Sequence, residues 1–330
     1  MKKMNKNADP TVVITGVTDL DHAVVSPSSW LQESLSVPRE EGYIDVDGTR
    51  IHYFRWGDNT KPGIIMLHGF LAHARCFAFI APYLAADYHV VAYDFSGMGD
   101  SGARETYPLA IRVEELLSVA EQTGLNDHEQ KPIIVAHSYG GHVGLAAIDE
   151  HAEQFSGIII CDLMILRPSV FEEKPELSKL PGQQAGKRQN RIYPNYAAAK
   201  QRFVLSPPQA VEQSELFDFM AFHSLKEIGG GWSWKFDPGL FNIELGSDRG
   251  YLHTPRKVIT VESRKAIIYG QESTLFTDDS AAYMKELIAE LGGANFPIIG
   301  IPHARHHLML DQPIGFVAAL KTVLAHWEVT

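Results

Sequence analysis

The chain has 330 residues, with 29 Lys and Arg against 40 Asp and Glu, a formal net charge of −11, 45% apolar residues and 21% charged ones. That balance excludes a disordered chain, which would be poorer in apolar side chains, and a nucleic-acid binder, whose phosphates an acidic surface repels. Two cysteines are too few for a disulfide-stapled secreted domain, and Cys76 and Cys161 both read as buried free thiols in apolar surroundings.

The first residues, MKKMNKNADPTVVITGV, start basic, but their apolar run is too short for a secretory leader. They read as a mobile tail on a cytoplasmic protein. No apolar run reaches the length of about 18 residues that a membrane span needs. Residues 1–40 form an N-terminal extension that reads as irregular, broken by Pro10, Pro27 and Pro38. Residues 43–46 and 50–56 alternate around the turn Asp47-Gly48 and predict an antiparallel hairpin.

From there the pattern becomes strand, loop, helix. Solid apolar strands are expected at 63–67, 89–93, 132–136, 157–161, 266–269 and 297–301. Helical spacing falls at 74–85, 109–123, 139–153, 278–292 and 313–326. Apolar strands alternating with amphipathic helices predict a mostly parallel, eight-stranded sheet with helices on both faces. The alternation fails between 164 and 262, a stretch rich in Pro and in large aromatics, with helical spacing near 196–204 and 209–226. It reads as a mostly helical lid inserted between two strands, because a structureless loop of that length is improbable. The core domain is then 41–163 together with 263–330.

Four motifs carry chemistry. An apolar strand runs into Ala136-His137-Ser138-Tyr139-Gly140, with a helix pattern behind it. A serine on so sharp a turn needs small residues two before and two after it. An ordinary helix-capping serine is the plainer alternative. Leu67-His68-Gly69-Phe70 closes an earlier strand. Asp94-Phe95-Ser96-Gly97-Met98-Gly99-Asp100-Ser101-Gly102 follows the next, and contains a literal G-x-G-x-x-G. Its glycines do not open a helix directly, since 104–108 intervenes, so the dinucleotide reading is rejected. Finally Ile301-Pro302-His303-Ala304-Arg305-His306-His307 leads into a helix after Pro313. His303 and His307 are four apart, but on a loop, without H-E-x-x-H or a nearby Cys, so a zinc site is not expected.

Ala136–Gly140 resembles the nucleophile elbow G-x-S-x-G of the α/β-hydrolase superfamily, with Ala136 in place of the first Gly. The His68-Gly69-Phe70 turn and the D-x-S-G-x-G-x-S loop at Asp94 resemble that family's oxyanion loop and a structural loop, so Asp94 is expected to fix the loop. The resemblance covers nearly all of 43–326. It implies an α/β-hydrolase fold with an inserted helical cap, and Ser138 as nucleophile. It places the oxyanion hole at the N–H groups of Phe70 and Tyr139. It also implies His306, seven residues before Pro313, as base, with His307 its rival.

The triad acid is less regular. Most family members place an Asp three residues past the Gly that ends the seventh strand, and here that position is Ser273. Glu272 is one residue early. The other site known in this fold, the end of the sixth strand, holds Asp162. Asp162 is taken as the acid, Glu272 as the alternative, with Asp278 and Asp279 behind them.

The implied chemistry is acyl transfer to water on a carboxylic ester or lactone of a hydrophobic small molecule, by a serine esterase or lactonase without cofactor or metal. Dehalogenases and epoxide hydrolases of this fold use Asp where Ser138 stands. Amide or carbon–carbon bond hydrolysis, and a small-molecule receptor with slow turnover, stay open. Gly69, His137, Trp232 and Trp234 are candidate substrate-binding residues, while Arg188, Arg191 and Arg202 read as a solvated face. The expected partner is a small-molecule substrate, not nucleic acid or membrane, and a homodimer is left open.

Overall fold

The computed structural model describes residues 12–14, 27–174, 189–242 and 253–329. Its centre is a nine-stranded sheet of β1 (Val12–Ile14), β2 (Arg39–Val46), β3 (Thr49–Trp56), β4 (Gly63–Leu67), β5 (His89–Tyr93), β6 (Ile133–His137), β7 (Gly157–Cys161), β10 (Arg264–Gly270) and β11 (Ile298–Ile301). The order is β1-β2-β3-β5-β4-β6-β7-β10-β11. The first three pairings are antiparallel and the rest parallel. Eight of these strands are the predicted ones. Asp47 (φ 50°) and Gly48 (φ 76°) close the β2–β3 hairpin with the two left-handed residues that a two-residue turn requires.

The parallel strands are buried on both faces, so they read as unbroken apolar runs. Alternate residues nonetheless feed two separate cores. Ile64, Met66, Val135, Ile159 and Ile268 pack with α1 (Ser29–Leu35), α9 (Leu308–Asp311) and α10 (Pro313–Val329). Ile65, Leu67, Ile134, Ile160 and Ile267 pack with α2 (Leu109–Gln122), α3 (Tyr139–His151), α7 (Thr254–Thr260) and α8 (Asp278–Leu291). This is the arrangement implied by the resemblance.

Three expectations need correction. Residues 1–40 are not irregular throughout: β1 adds antiparallel to β2, and α1 buries Leu31 and Leu35 on one face. Two helical turns between Pro27 and Pro38 are too short to stand out as a period. Segment 74–85 is not one helix but two 3₁₀ turns, Ala74–Phe77 and Ala81–Tyr83, and residues 74–81 are all buried. A segment enclosed on every side loses the amphipathic pattern that marks a surface helix. Among its described residues the insertion is not mostly helical. Between β7 and β10 it carries α4 (Pro168–Glu173), α5 (Tyr196–Lys200) and α6 (Ser214–His223), then a hairpin of β8 (Leu225–Ile228) and β9 (Gly231–Trp234). Helix α7, before residue 262, buries Val258 and Ile259 in the core beneath α3 and α8.

Among the described residues no helix is long and apolar enough to cross a membrane. Cys76 and Cys161 are free and buried.

Candidate active site

Strand β6 delivers Ser138 to the start of α3 with φ 51° and ψ −118°. This is a left-handed conformation that costs a non-glycine residue on the order of 1–3 kcal/mol. It is not the extended geometry of an ordinary N-cap. The Ser138 side chain makes no cap bond, so its hydroxyl is not spent on its own helix. The small neighbours have a visible cause. A Cβ on Gly140 would lie 2.7 Å from the Leu67 carbonyl oxygen and 2.9 Å from that of His68. A Cβ on Gly69 would lie 3.0 Å from His137 Nδ1 and 3.4 Å from Ser138 Cβ. The β4 turn and the β6 turn therefore touch backbone to backbone. Phe70 meets the Tyr139 ring edge-on at 5.8 Å.

His306 lies on the loop after β11 and is 3% exposed. Its Nδ1–H donates to Asp162 Oδ1 at 2.9 Å, since a carboxylate only accepts. In the neutral ring the lone pair is then on Nε2. That atom is buried and has no hydrogen-bond partner among the described residues.

Asp162 follows β7 with φ 47° and is fully buried. Its Oδ1 also accepts the Ser273 hydroxyl at 2.6 Å, and its Oδ2 accepts the Gly270 N–H at 2.8 Å. Burial pushes its carboxyl up, against the hydrogen bonds from His306, Ser273 and Gly270. An unpaired carboxylate here would be far more costly. Ser273, at the position where most family members carry an Asp, thus donates to Asp162 at the end of β7.

The other candidates lie elsewhere. Glu272 turns outward and pairs with exposed His303 at 3.2 Å. Asp278 accepts the Tyr269 hydroxyl at 2.6 Å, and Asp279 pairs with Arg167 at 3.0 Å. His307 is directed away from Asp162: its Nε2–H donates to the Pro207 carbonyl at 3.3 Å, and burial pushes its pKa down to about 3. His303 and His307 thus have separate partners, Glu272 and the Pro207 carbonyl.

His137 is 2% exposed. Burial holds its imidazole well below the usual range, and its Nε2–H donates to the His306 carbonyl at 2.8 Å. Trp232 packs on Tyr196 at 5.3 Å within the insertion's own aromatic cluster. Trp234 stacks on Phe236 at 6.3 Å, Phe236 meets Phe241 at 5.9 Å, and Phe241 meets Phe70 at 6.1 Å. These half-buried rings form a continuous aromatic path from the insertion to the turn beside Ser138. Arg191 and Arg202 are exposed, and Arg188 lies outside the described residues.

Asp94 fixes its loop. It accepts the Ala74 and Asp100 N–H groups at 2.6 and 2.8 Å and His52 Nδ1–H at 2.8 Å. A Cβ on Gly99 would fall 2.3 Å from its Cγ, which explains that glycine and removes the dinucleotide reading. Among the described residues His52, Asp94 and Asp100 are the one set spaced as metal ligands. They do not fit a cation. Both His52 nitrogens are taken, by Asp94 and Glu41, and Asp100 already faces Arg75 and Lys235.

A family model described as Alpha/beta hydrolase family matches residues 64–320. The chain is 27% identical over 117 residues to an uncharacterized hydrolase, YugF, of Bacillus subtilis (strain 168), a stretch covering 35% of this chain and 41% of that one. It is 27% identical over 133 residues to Epoxide hydrolase 4 of Mus musculus, covering 39% and 35%. The matches thus span less than half of those relatives. The solved structure of E-2-(acetamidomethylene)succinate hydrolase superposes with a TM-score of 0.69 at 14% identity, over 86% of this chain and 98% of that one. That is a likeness of fold.

Proposed function

Since the chain belongs to the alpha/beta hydrolase family, we propose that it is a serine hydrolase that cleaves a carboxylic ester or lactone of a hydrophobic small molecule. The observation that carries this is the buried His306–Asp162 pair, with Nε2 of His306 unpartnered, in a molecule that also holds Ser138 on a strained turn. In this reading Ser138 attacks the carbonyl and His306 takes its proton. Asp162 holds the imidazole tautomer and stabilises the imidazolium. The N–H groups of Phe70 and Tyr139 receive the oxyanion, each worth roughly 3 kcal/mol. Water activated by His306 then hydrolyses the acyl-enzyme. No step calls for a cofactor.

Serine also argues against epoxide opening. A carboxylate nucleophile leaves an ester that water can hydrolyse, whereas serine would leave an ether with no such exit. The aromatic path from Trp234 to Phe70 supports an apolar substrate.

The test is mapping of a fluorophosphonate adduct, followed by hydrolysis of p-nitrophenyl esters and lactones of graded length. One adduct on Ser138, lost in Ser138→Ala together with turnover, is the expected result. Folded protein that neither labels nor turns over ester would overturn the reading in favour of a small-molecule receptor.

A further inference from the structure

The loop that carries His306 is held from two sides, and one of them is the insertion. Gln209 Oε1 accepts the His307 N–H at 2.9 Å, while its Nε2 donates to Asp311 Oδ2 at 3.1 Å. An N–H on one side and a carboxylate on the other fix which end of the amide is which. Asp311, 7% exposed, also accepts the Arg305 N–H at 2.7 Å and the Arg305 guanidinium at 3.1 Å. The residues immediately before and after His306 are therefore clamped to one carboxylate–amide pair. Gln213 Nε2 adds a bond to the Asp311 carbonyl at 3.3 Å. From the sheet, His137 Nε2–H holds the His306 carbonyl itself.

We infer that Gln209 is a positioning residue for the base: residues 207–213 of the insertion belong to the frame that holds His306, and are not only a cover above it. This rests on the reading of Ser138, His306 and Asp162 given above. Without the Gln209 side chain, a part-buried N–H next to His306 loses its acceptor and Asp311 loses a donor. The loop then gains freedom at the residue whose placement sets the reaction geometry.

The experiment compares Gln209→Ala with Gln209→Met, which keeps the length of the side chain and loses both hydrogen bonds. Three quantities are read: the rate of fluorophosphonate labelling at Ser138, kcat and KM on p-nitrophenyl acetate, and the downfield proton resonance of His306 Nδ1–H. Both variants are expected to label about tenfold more slowly, a loss of the size that small misplacement causes. Their kcat should fall with KM unchanged, and the resonance should broaden. A Met variant with wild-type kcat, labelling and resonance would overturn the inference, because Gln209 would then only fill space. A change in KM alone would overturn it too. Failure of the wild-type protein to label strikes the nucleophile reading instead, whereas wild-type labelling with unaltered variants strikes only this one.

Discussion

A carboxylate buried as deeply as Asp162 survives ionised only through its donors, which among the described residues are His306, Ser273 and Gly270. Asp162→Asn is expected to lower kcat by about 10⁴, because the amide presents a donor to Nδ1 and inverts the imidazole tautomer. Glu272→Gln should leave kcat within about twofold, since its partner His303 is exposed. Steady-state kinetics on one ester decide between the two. Ser273→Ala removes a donor from the charged carboxylate, worth about 1.5–3 kcal/mol. Burial already pushes Asp162 up, so losing that donor pushes it further. The acid limb of the kcat/KM profile should therefore move to higher pH, and a limb that stays in place would refute the role. At this scale the sequence is legible where local geometry restricts residue type, as the turn does around Ser138. It is not legible for Ser273, which meets its partner across 111 positions, or for Gln209, across 102 positions to Asp311. Such bonds leave no local pattern.

Elements were legible in proportion to how far their pattern runs. Helix α8 carries an amphipathic stripe, a Thr277–Ser280 capping box and Gly292 at its end (φ 67°), and its bounds agree with the reading to one residue. The β8–β9 hairpin has four residues per strand, too few for alternation to register. The helix expected over 209–226 begins only at Ser214, because residues 209–213 follow Pro207-Pro208 outside any helix. The contact of α3 with β4 gives a test at this scale. Gly140→Ala places a methyl against two backbone carbonyls, so the first turn of α3 must move away from β4. The expected cost is about 2 kcal/mol, read by urea unfolding. Fluorophosphonate labelling should fall more steeply than stability does, because the displaced turn carries Ser138. Equal labelling of the wild type and the variant would show that the elbow tolerates the shift.

The insertion and the sheet are joined by charge as well as by apolar contact. Lys235, just past β9, reaches Asp100 at 2.6 Å, and Asp100 also pairs with Arg75. Arg75 joins Glu41, which shares buried His52 with Asp94. Close by, the Asp237 N–H donates to the Gly97 carbonyl at 2.7 Å, and its carboxylate accepts the Tyr107 hydroxyl. Burial alone would raise the Asp100 carboxyl, but Arg75 and Lys235 outweigh it and hold its pKa down to about 2. A depressed carboxylate stabilises the fold above its unfolded pKa and loses that contribution as pH falls through the folded value. His52 has the opposite sign. Burial opposes its charge, the bonds to Asp94 and Glu41 prevail, and its contribution disappears as pH rises through its raised value. Asp100→Asn should therefore cost about 2 kcal/mol at neutral pH. Its deficit should shrink as pH falls from about 4 to about 2, where the wild-type carboxylate also takes up its proton. Urea unfolding across that range, followed by tryptophan fluorescence, reads both the size and the window. A deficit independent of pH would mean that Asp100 contributes through packing and not through its charge. The ion pair between Lys235 and the Gly-rich loop would then not be what fastens the insertion to the sheet.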